Sequence, residues 1–208
     1  MHLGLKPRGV LEVAAVIFTA ALYFVFYDLL PGRGPFILFT IVAWSAYVAF
    51  RLRRTPESFR EFGLSTHGLR PSTVAASVVL VAGVAFCLVV GLSQGGVHFV
   101  SHMFLLALLY PFWGLLQQLL IQAMVVRNLA PMVSTPTVVA TAAVLSGVVH
   151  LPDLALALPT TILGAIFTLI FLRWRNIWAL GVCHGWLGVF FYYWVLGRDP
   201  WLEIITGA

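Results

Sequence analysis

Charged residues are scarce in this chain. Asp, Glu, Lys and Arg make up only 9% of its 208 residues, whereas a soluble domain carries about 25%. Seven acidic and twelve basic side chains cannot cover the surface of a soluble globule of this size. The scarcity excludes an ordinary soluble protein, and the 61% apolar content is typical of a chain that crosses a bilayer.

Cysteine is also rare, and this excludes two further classes of protein. The two cysteines, Cys87 and Cys183, both lie inside long apolar runs. Two isolated thiols provide neither a disulfide framework nor a CxxC metal site. We therefore predict small buried side chains at both positions and no metal centre.

Apolar runs long enough to span a membrane recur from one end of the chain to the other. A bilayer core needs about 20 residues of helix, and an open sheet edge cannot be satisfied in lipid. The sequence therefore predicts an all-α, polytopic bundle of about seven spans, with residues 1–208 forming a single integral membrane domain. The predicted spans are 10–30, 36–52, 72–93, 99–126, 137–150, 154–172 and 177–196.

The basic residues fall mainly into alternate loops. Ten of the twelve would lie on one side of the membrane, and only Arg33 and Arg198 on the other. The positive-inside rule then predicts a multi-pass protein of the plasma or inner membrane, with a cytoplasmic N-terminus and an external C-terminus. The net charge of +5 follows this topology and does not indicate nucleic-acid binding. The ten are Lys6, Arg8, Arg51, Arg53, Arg54, Arg60, Arg70, Arg127, Arg173 and Arg175.

Three polar residues near the span ends are predicted to lie at the membrane surface. Glu12 is predicted to snorkel to the cytoplasmic surface, the alternative being a buried partner for a neighbouring helix. His98 and His102 are four residues apart, a spacing that suits a metal. No carboxylate or cysteine is near them in the sequence, so we interpret them as wet interfacial histidines.

Polar residues inside the spans are the candidates for function, because ionisable groups at membrane depth are expensive. Gln118 and Gln122 share one helical face, and Gln117 lies about 100° around the helix. At about 1.5 Å per residue, Gln118 lies ~13 Å deep, His184 ~10 Å and His150 ~20 Å from the cytoplasmic helix ends. These depths predict that three helices converge on one polar cavity.

The order and spacing of these residues resemble a known family. Gln117-Gln118-Leu-Leu-Ile-Gln122 stands where the CAAX protease and bacteriocin-processing family carries Glu-Glu-x-x-x-Arg. Ser146 to His150 stands at its Phe-x-x-x-His motif, and His184 to Gly188 at its His-x-x-x-Asn motif. The resemblance covers residues 59–196 and implies the fold of a helical intramembrane glutamic protease, such as a type II CAAX prenyl endopeptidase. In that family a glutamate helped by histidine activates water, and the asparagine helps bind the oxyanion.

Only the two histidines of these motifs are kept. The side chains that would supply the acid, the base and the oxyanion donor are replaced. A side-chain amide cannot take a proton from water, and loss of a general base costs about 10²–10⁴-fold in rate. Loss of one oxyanion donor costs roughly 10²–10³-fold. The replaced positions are Gln117, Gln118, Gln122, Ser146 and Gly188.

The sequence therefore favours a catalytically degenerate family member that binds a membrane lipid or isoprenoid, another membrane protein or a hydrophobic peptide. The ligand would contact Gln117, Gln118, Gln122, Ser146, His150 and His184. One alternative is an active endopeptidase with a histidine base, for which Asp153 is the only nearby acid. Another is a haem or chlorin subunit ligated through His150 and His184, although no cofactor is predicted. A purely structural alternative is that the glutamines and histidines form interhelical hydrogen bonds, worth about 1 kcal/mol each.

Overall fold

The computed structural model describes residues 7–27 and 34–206, and every regular element in these ranges is helical. The predicted all-helical class is confirmed. Two stretches, Leu119–Val126 and Phe191–Val195, are wound as π-helix. The helices are α1 Pro7–Tyr27, α2 Gly34–Arg54, α3 Ser58–Glu61, α4 Leu69–Ser93, α5 Ser101–Leu129, α6 Thr135–Val148, α7 Leu154–Trp174, α8 Trp178–Phe190 and α9 Pro200–Thr206.

The observed helices match the seven predicted spans to within a few residues. Five of them, α1, α2, α4, α5 and α7, are long and apolar enough to cross a membrane. The other two are shorter, with 14 residues in α6 and 13 in α8 before its π-helical turn. The chain is thus a multi-pass membrane protein, and the count of seven spans stays a prediction. Residues 28–30 of the first predicted span, and Arg33, lie outside the described residues.

Proline marks the start of several helices. Pro7, Pro35, Pro136 and Pro200 each lie at the first or second residue of a helix. Proline fits there because the first N–H groups of a helix have no intrahelical partner and its φ angle is already helical. Ser134 caps α6, and its hydroxyl accepts a bond from the Thr137 amide at 3.4 Å. These signals fix where the apolar runs begin as helices.

Large apolar side chains cover the outside of the bundle. Phe39, Val81 and Phe112 are each about 70% exposed, at 69%, 69% and 71%. A soluble protein does not leave so many large apolar groups in water, but lipid solvates them. The buried apolar core lies between α4, the π-helical stretch of α5, α7 and α8, with Phe167 and Phe171 of α7 fully buried.

Glycines bring α5 and α8 into backbone contact. A Cβ on Gly114 would lie 2.3 Å from the Gly181 carbonyl oxygen. One on Gly185 would lie 2.5 Å from the backbone of Tyr110. Neither position can accept a larger residue without moving a helix, since core packing tolerates little added volume. Gly188 differs, because its nearest neighbour is the Tyr110 ring at 3.5 Å.

A second glycine contact joins α6 to α7. A Cβ on Gly147 would lie 1.9 Å from the Thr161 hydroxyl oxygen and 2.9 Å from the Ala157 carbonyl oxygen. One on Gly164 would lie 2.6 Å from the Ser146 hydroxyl oxygen. Small residues let membrane helices approach closely and pack by van der Waals contact. The bundle core thus contains two tightly packed helix pairs, α5 with α8 and α6 with α7.

Pro111 interrupts the hydrogen bonding of α5, and α8 compensates. A proline has no N–H, so the carbonyl four residues earlier, that of Ala107, loses its helical partner. The Trp186 indole N–H donates to this carbonyl at 2.9 Å. The freed oxygen is therefore satisfied by the neighbouring helix instead of facing lipid without a partner.

Both cysteines are buried and free, as predicted. The Cys183 thiol donates to the Ala76 carbonyl at 3.3 Å. Cys183 therefore lies at the contact of α8 with α4, and neither thiol is paired with the other.

The prediction that Glu12 snorkels to the surface is wrong, and the buried-partner alternative is correct. Glu12 is 3% exposed, and its carboxylate pairs with both Arg51 and Arg127. It also accepts bonds from the Tyr47 hydroxyl at 2.7 Å and the Asn128 amide at 2.8 Å. We call this group of residues the ionic cluster. It ties α1, α2 and α5 together at the end of the bundle where α1 begins.

The interpretation of His102 also needs a correction. His102 is not without a carboxylate, because its Nδ1 lies 3.2 Å from an Asp199 oxygen. The other oxygen of Asp199 accepts from the Tyr193 hydroxyl at 2.7 Å and from the Trp201 amide at 3.0 Å. His98 precedes α5, so the two histidines do not share a helical face. We call the residues around Asp199 the acidic cluster; it lies at the end of the bundle opposite the ionic cluster.

Candidate functional site

The three glutamines lie where α5 changes from α-helical to π-helical winding. Gln117 and Gln118 close the α-helical part, and Gln122 lies inside the π-helical stretch Leu119–Val126. Gln118 is 4% exposed and Gln122 is fully buried. Short π-helical stretches inside α-helices occur frequently at functional sites. From this stretch the Gln122 side chain reaches α7.

Gln118 and His184 meet, as the sequence predicts. The Gln118 Nε2 atom lies 3.3 Å from His184 Nδ1, although 66 residues separate the two positions. The His184 ring packs against Phe167 of α7 with ring centroids 6.0 Å apart. One face of the imidazole is thus fixed by an aromatic side chain and one ring nitrogen by an amide. The ring is still partly exposed.

Gln122 extends the polar contacts from Gln118 to α7. Its Nε2 donates to the Gln118 Oε1 atom at 3.2 Å and to the Thr168 hydroxyl oxygen at 3.3 Å. Thr168 is fully buried and donates its own hydroxyl proton to the Gly164 carbonyl at 2.7 Å. A continuous line of hydrogen bonds therefore runs from the α7 backbone to the imidazole on α8.

His150 is held by different partners. Its Nδ1 lies 2.9 Å from the Ser146 carbonyl oxygen and 3.3 Å from the Thr160 hydroxyl. The Ser146 hydroxyl itself donates to the Ala142 carbonyl at 2.8 Å. Both histidines contact α7, His150 through Thr160 and His184 through Phe167. Within the described chain, the Nε2 atom of each histidine has no hydrogen-bond partner.

Two buried amide oxygens remain without a donor among the described residues. They are the Oε1 atoms of Gln117 and Gln122. A buried acceptor without a partner costs about 1–3 kcal/mol. This part of the bundle is thus rich in hydrogen-bonding groups that its own side chains do not fully satisfy.

Sequence reasoning missed the threonines. Thr168 and Thr160 were not among the candidate residues, yet each contacts one of them. Their hydroxyls also bond to the preceding turn of their own helix, which is the ordinary role of threonine in an apolar helix. In the sequence, each threonine lies near a proline or glycine of α7. This proximity is only a weak signal for a contact with another helix.

The chemistry of the site is that of neutral donors and acceptors. In the described part of the chain no carboxylate lies within hydrogen-bonding distance of His150 or His184. Asp153 caps the α7 amide of Leu156 at 3.2 Å and pairs with Arg198 at 2.6 Å, so it is engaged elsewhere. Among the described residues, no three His, Cys, Asp or Glu side chains come together in a metal-binding group.

The fold and these residues define a multi-pass helical membrane protein with a polar site between α5, α7 and α8. The family model of type II CAAX prenyl endopeptidases described as Rce1-like matches residues 96–190. The matched segment holds all three motifs, so this part of the chain is similar to that family. The resemblance seen in the sequence is thereby confirmed. No curated protein and no solved structure matches the chain.

Proposed function

We propose that this membrane protein, similar to the Rce1-like family over residues 96–190, binds a hydrophobic peptide segment in the site between α5, α7 and α8 without cleaving it. The observation that carries the proposal is the contact of Gln118 with His184 at 3.3 Å. An amide stands where an acid would have to activate water, and an amide does not titrate near neutral pH. The site keeps the family's positions but lacks a base of that kind.

A peptide is the ligand class that suits the free groups. Backbone N–H and C=O groups in the hydrocarbon region each need a partner. The partly exposed histidines each offer one free ring nitrogen, and the Gln117 amide oxygen is buried without a partner. A lipid or isoprenoid chain offers far fewer polar groups. Those ligands, and a whole partner protein, are therefore the less favoured occupants.

The test combines a turnover assay with a binding assay on a peptide library that includes prenylated CAAX peptides. We expect no measurable cleavage by the wild-type protein, and crosslinking of hydrophobic peptides that decreases in a His150→Ala, His184→Ala double variant. Cleavage by the wild type that disappears in the double variant would overturn the proposal in favour of an active endopeptidase. Equal crosslinking by both proteins would show that the peptides do not bind at this site.

The active endopeptidase is the second candidate, and the geometry of His150 favours it. Its Nδ1 faces the Ser146 carbonyl oxygen, which can only accept. Nδ1 therefore carries the proton and Nε2 has a free lone pair. A histidine in this state can accept a proton. Against this candidate, its Nδ1 partner is a neutral carbonyl and not a carboxylate that would stabilise the imidazolium.

A restoration series separates the two candidates. Gln117→Glu with Gln118→Glu alone should not restore cleavage, because Gln122 and Gly188 still lack the arginine charge and the oxyanion donor. Adding Gln122→Arg and Gly188→Asn has a better chance of restoring cleavage. Position 188 has room for a Cβ atom, because the nearest atom would lie 3.5 Å from it. Full cleavage by the double glutamate variant alone would show that the other two positions do not matter.

The membrane orientation and the cofactor are part of the same proposal. We place the protein in the plasma or inner membrane with a cytoplasmic N-terminus, because basic residues concentrate in alternate loops. Cysteine labelling from outside should modify a site engineered at Gly95 and spare one at Arg173. An absorption spectrum of the purified protein tests the haem or chlorin alternative, for which we expect no pigment band.

A further inference from the structure

We infer that a directional line of hydrogen bonds holds His184 in the tautomer that carries its proton on Nε2. In this state His184 donates a hydrogen bond to a ligand and offers no lone pair there. The ligand group that fits it is a carbonyl oxygen, such as that of a peptide bond. The identification of the ligand as a peptide rests on the proposed function, whereas the tautomer does not.

The direction of the line is set by a backbone carbonyl. A carbonyl oxygen can only accept, so the contact of 2.7 Å between the Thr168 hydroxyl and the Gly164 oxygen uses the single proton of Thr168. The Thr168 oxygen must then accept from the atom of Gln122 that lies 3.3 Å away. That atom is therefore the amide nitrogen of Gln122, whichever way its side chain is drawn.

The same reasoning fixes the Gln118 amide. The Gln122 nitrogen also lies 3.2 Å from one atom of the Gln118 amide. A nitrogen there would place two donors against each other, so the facing atom is the Gln118 oxygen. The other end of the Gln118 amide, which lies 3.3 Å from His184, is then the nitrogen.

The last contact decides the tautomer of His184. The Gln118 nitrogen donates to His184 Nδ1, so Nδ1 carries the lone pair and the proton of the neutral ring is on Nε2. A glutamate at position 118 would do the opposite. Its carboxylate can only accept, so it would place the proton on Nδ1 and leave Nε2 as a base. The change from an acid to an amide thus reverses the direction in which this histidine hydrogen-bonds.

The two histidines consequently present opposite groups. His150 has its proton on Nδ1 because it faces the Ser146 carbonyl, so its Nε2 accepts. His184 has its proton on Nε2, which donates. One acceptor and one donor in a single site are complementary to the N–H and C=O of a peptide group. They are not complementary to an ester, which has no donor.

Nitrogen-15 NMR of histidine-labelled protein in nanodiscs tests the inference directly. Two-bond couplings between ring protons and ring nitrogens give different patterns for the two neutral tautomers. We expect the Nε2–H pattern for His184, assigned by its disappearance in a His184→Gln variant. An Nδ1–H pattern for His184 in the wild type overturns the inference on its own, without any variant.

Two variants test the cause. Gln118→Glu should convert His184 to the Nδ1–H pattern, while the matched Gln117→Glu variant should leave it unchanged. Thr168→Val removes the hydroxyl that sets the direction, so both tautomers should appear. If the His184 pattern is unchanged in both Gln118→Glu and Thr168→Val, the line of hydrogen bonds does not set the tautomer. Absence of peptide crosslinking beside an Nε2–H pattern in the wild type would reject the proposed function and keep this inference.

Discussion

Two polar groups are buried in this membrane bundle, and they are built from opposite chemistry. The ionic cluster brings Glu12, Arg51 and Arg127 together with full charges, all largely buried. The site between α5, α7 and α8 contains only neutral amides, hydroxyls and imidazoles. In the first group the Glu12 carboxylate is paired with both guanidinium groups, and one nitrogen, the Arg51 Nε, has no partner among the described residues. The second group leaves two histidine nitrogens and two amide oxygens without a partner.

The difference indicates what each region does. A buried charge requires dense compensation, and Phe62 lies against both guanidinium groups, 5.3 and 4.8 Å from its ring centroid. Such a group fixes helices but has little capacity left for a ligand. Neutral groups cost less to leave unpaired, so the second region can keep free donors and acceptors. We conclude that the ionic cluster stabilises and that the neutral site binds.

The largest effect should come from breaking the ionic cluster. Glu12→Gln leaves Arg51 and Arg127 buried without their shared carboxylate. Removing one partner of a buried ion pair typically costs about 3–5 kcal/mol. Thermal unfolding in mixed micelles measures the loss.

A matched control separates this effect from a general effect of charge. Glu57→Gln changes an exposed glutamate and should alter stability by less than about 0.5 kcal/mol. If both variants unfold at the same temperature as the wild type, the ionic cluster is not what holds α1, α2 and α5 together.

The next effect concerns the packing beneath the neutral site. Gly185→Ala introduces a Cβ that would lie 2.5 Å from the Tyr110 backbone, and such overpacking costs about 1–3 kcal/mol. Gly188→Ala, one turn later on α8, meets its nearest atom only at 3.5 Å and should be tolerated. Equal unfolding temperatures for the two variants would contradict the close contact of α5 with α8.

The hydrogen bonds of the neutral site should contribute less to stability than the ionic cluster or the glycine packing of α5 with α8. Gln122→Leu and Thr168→Val each remove contacts across α5 and α7, worth about 1 kcal/mol. Gln122→Leu also removes an unpartnered buried oxygen, so its net cost should be the smaller. A loss as large as that of Glu12→Gln would erase the distinction between the two regions.

The smallest effect is a dependence on pH at the opposite end of the bundle. Burial alone would raise the pKa of Asp199, but hydrogen bonds from Tyr193, His102 and two backbone amides outweigh it and lower the pKa. A carboxyl whose folded pKa is depressed stabilises the protein above its unfolded value and loses this contribution as the pH falls through the folded value. Unfolding temperatures measured towards pH 3, below the usual Asp value of about 3.9, should fall less in Asp199→Asn than in wild type. Parallel curves would mean that this charge contributes nothing.

The helices were predictable because one local property decides them. Apolar runs of sufficient length form helices in lipid, and α2, α4 and α7 lie within a few residues of their predicted spans. Gln118 and His184 were also predicted to meet, because their depths along two helices agree. Depth follows from residue count alone once the ends of a helix are known.

The partners of charged groups could not be predicted in this way. Glu12 meets Arg127 across 115 residues, and His102 meets Asp199 across 97. The prediction of snorkelling considers only what a single side chain can reach. It is therefore wrong where a helix distant in sequence supplies a countercharge. Thr168 was missed for a related reason. Its bond to its own helix explains it locally, and only the packing of α7 against α5 reveals the second bond to Gln122.

The glycine contacts give the bundle a mechanical consequence. The α5–α8 pair and the α6–α7 pair each pack closely at glycine positions, so we expect each pair to move as a unit. Between the two units the described polar links are few, and the bond from Gln122 to Thr168 is the one that crosses the site. A hinge motion of one unit against the other would stretch that bond first. Such a motion would also separate the apolar side chains that α7 shares with α5 and α8, so the buried core limits how far the site opens sideways towards lipid.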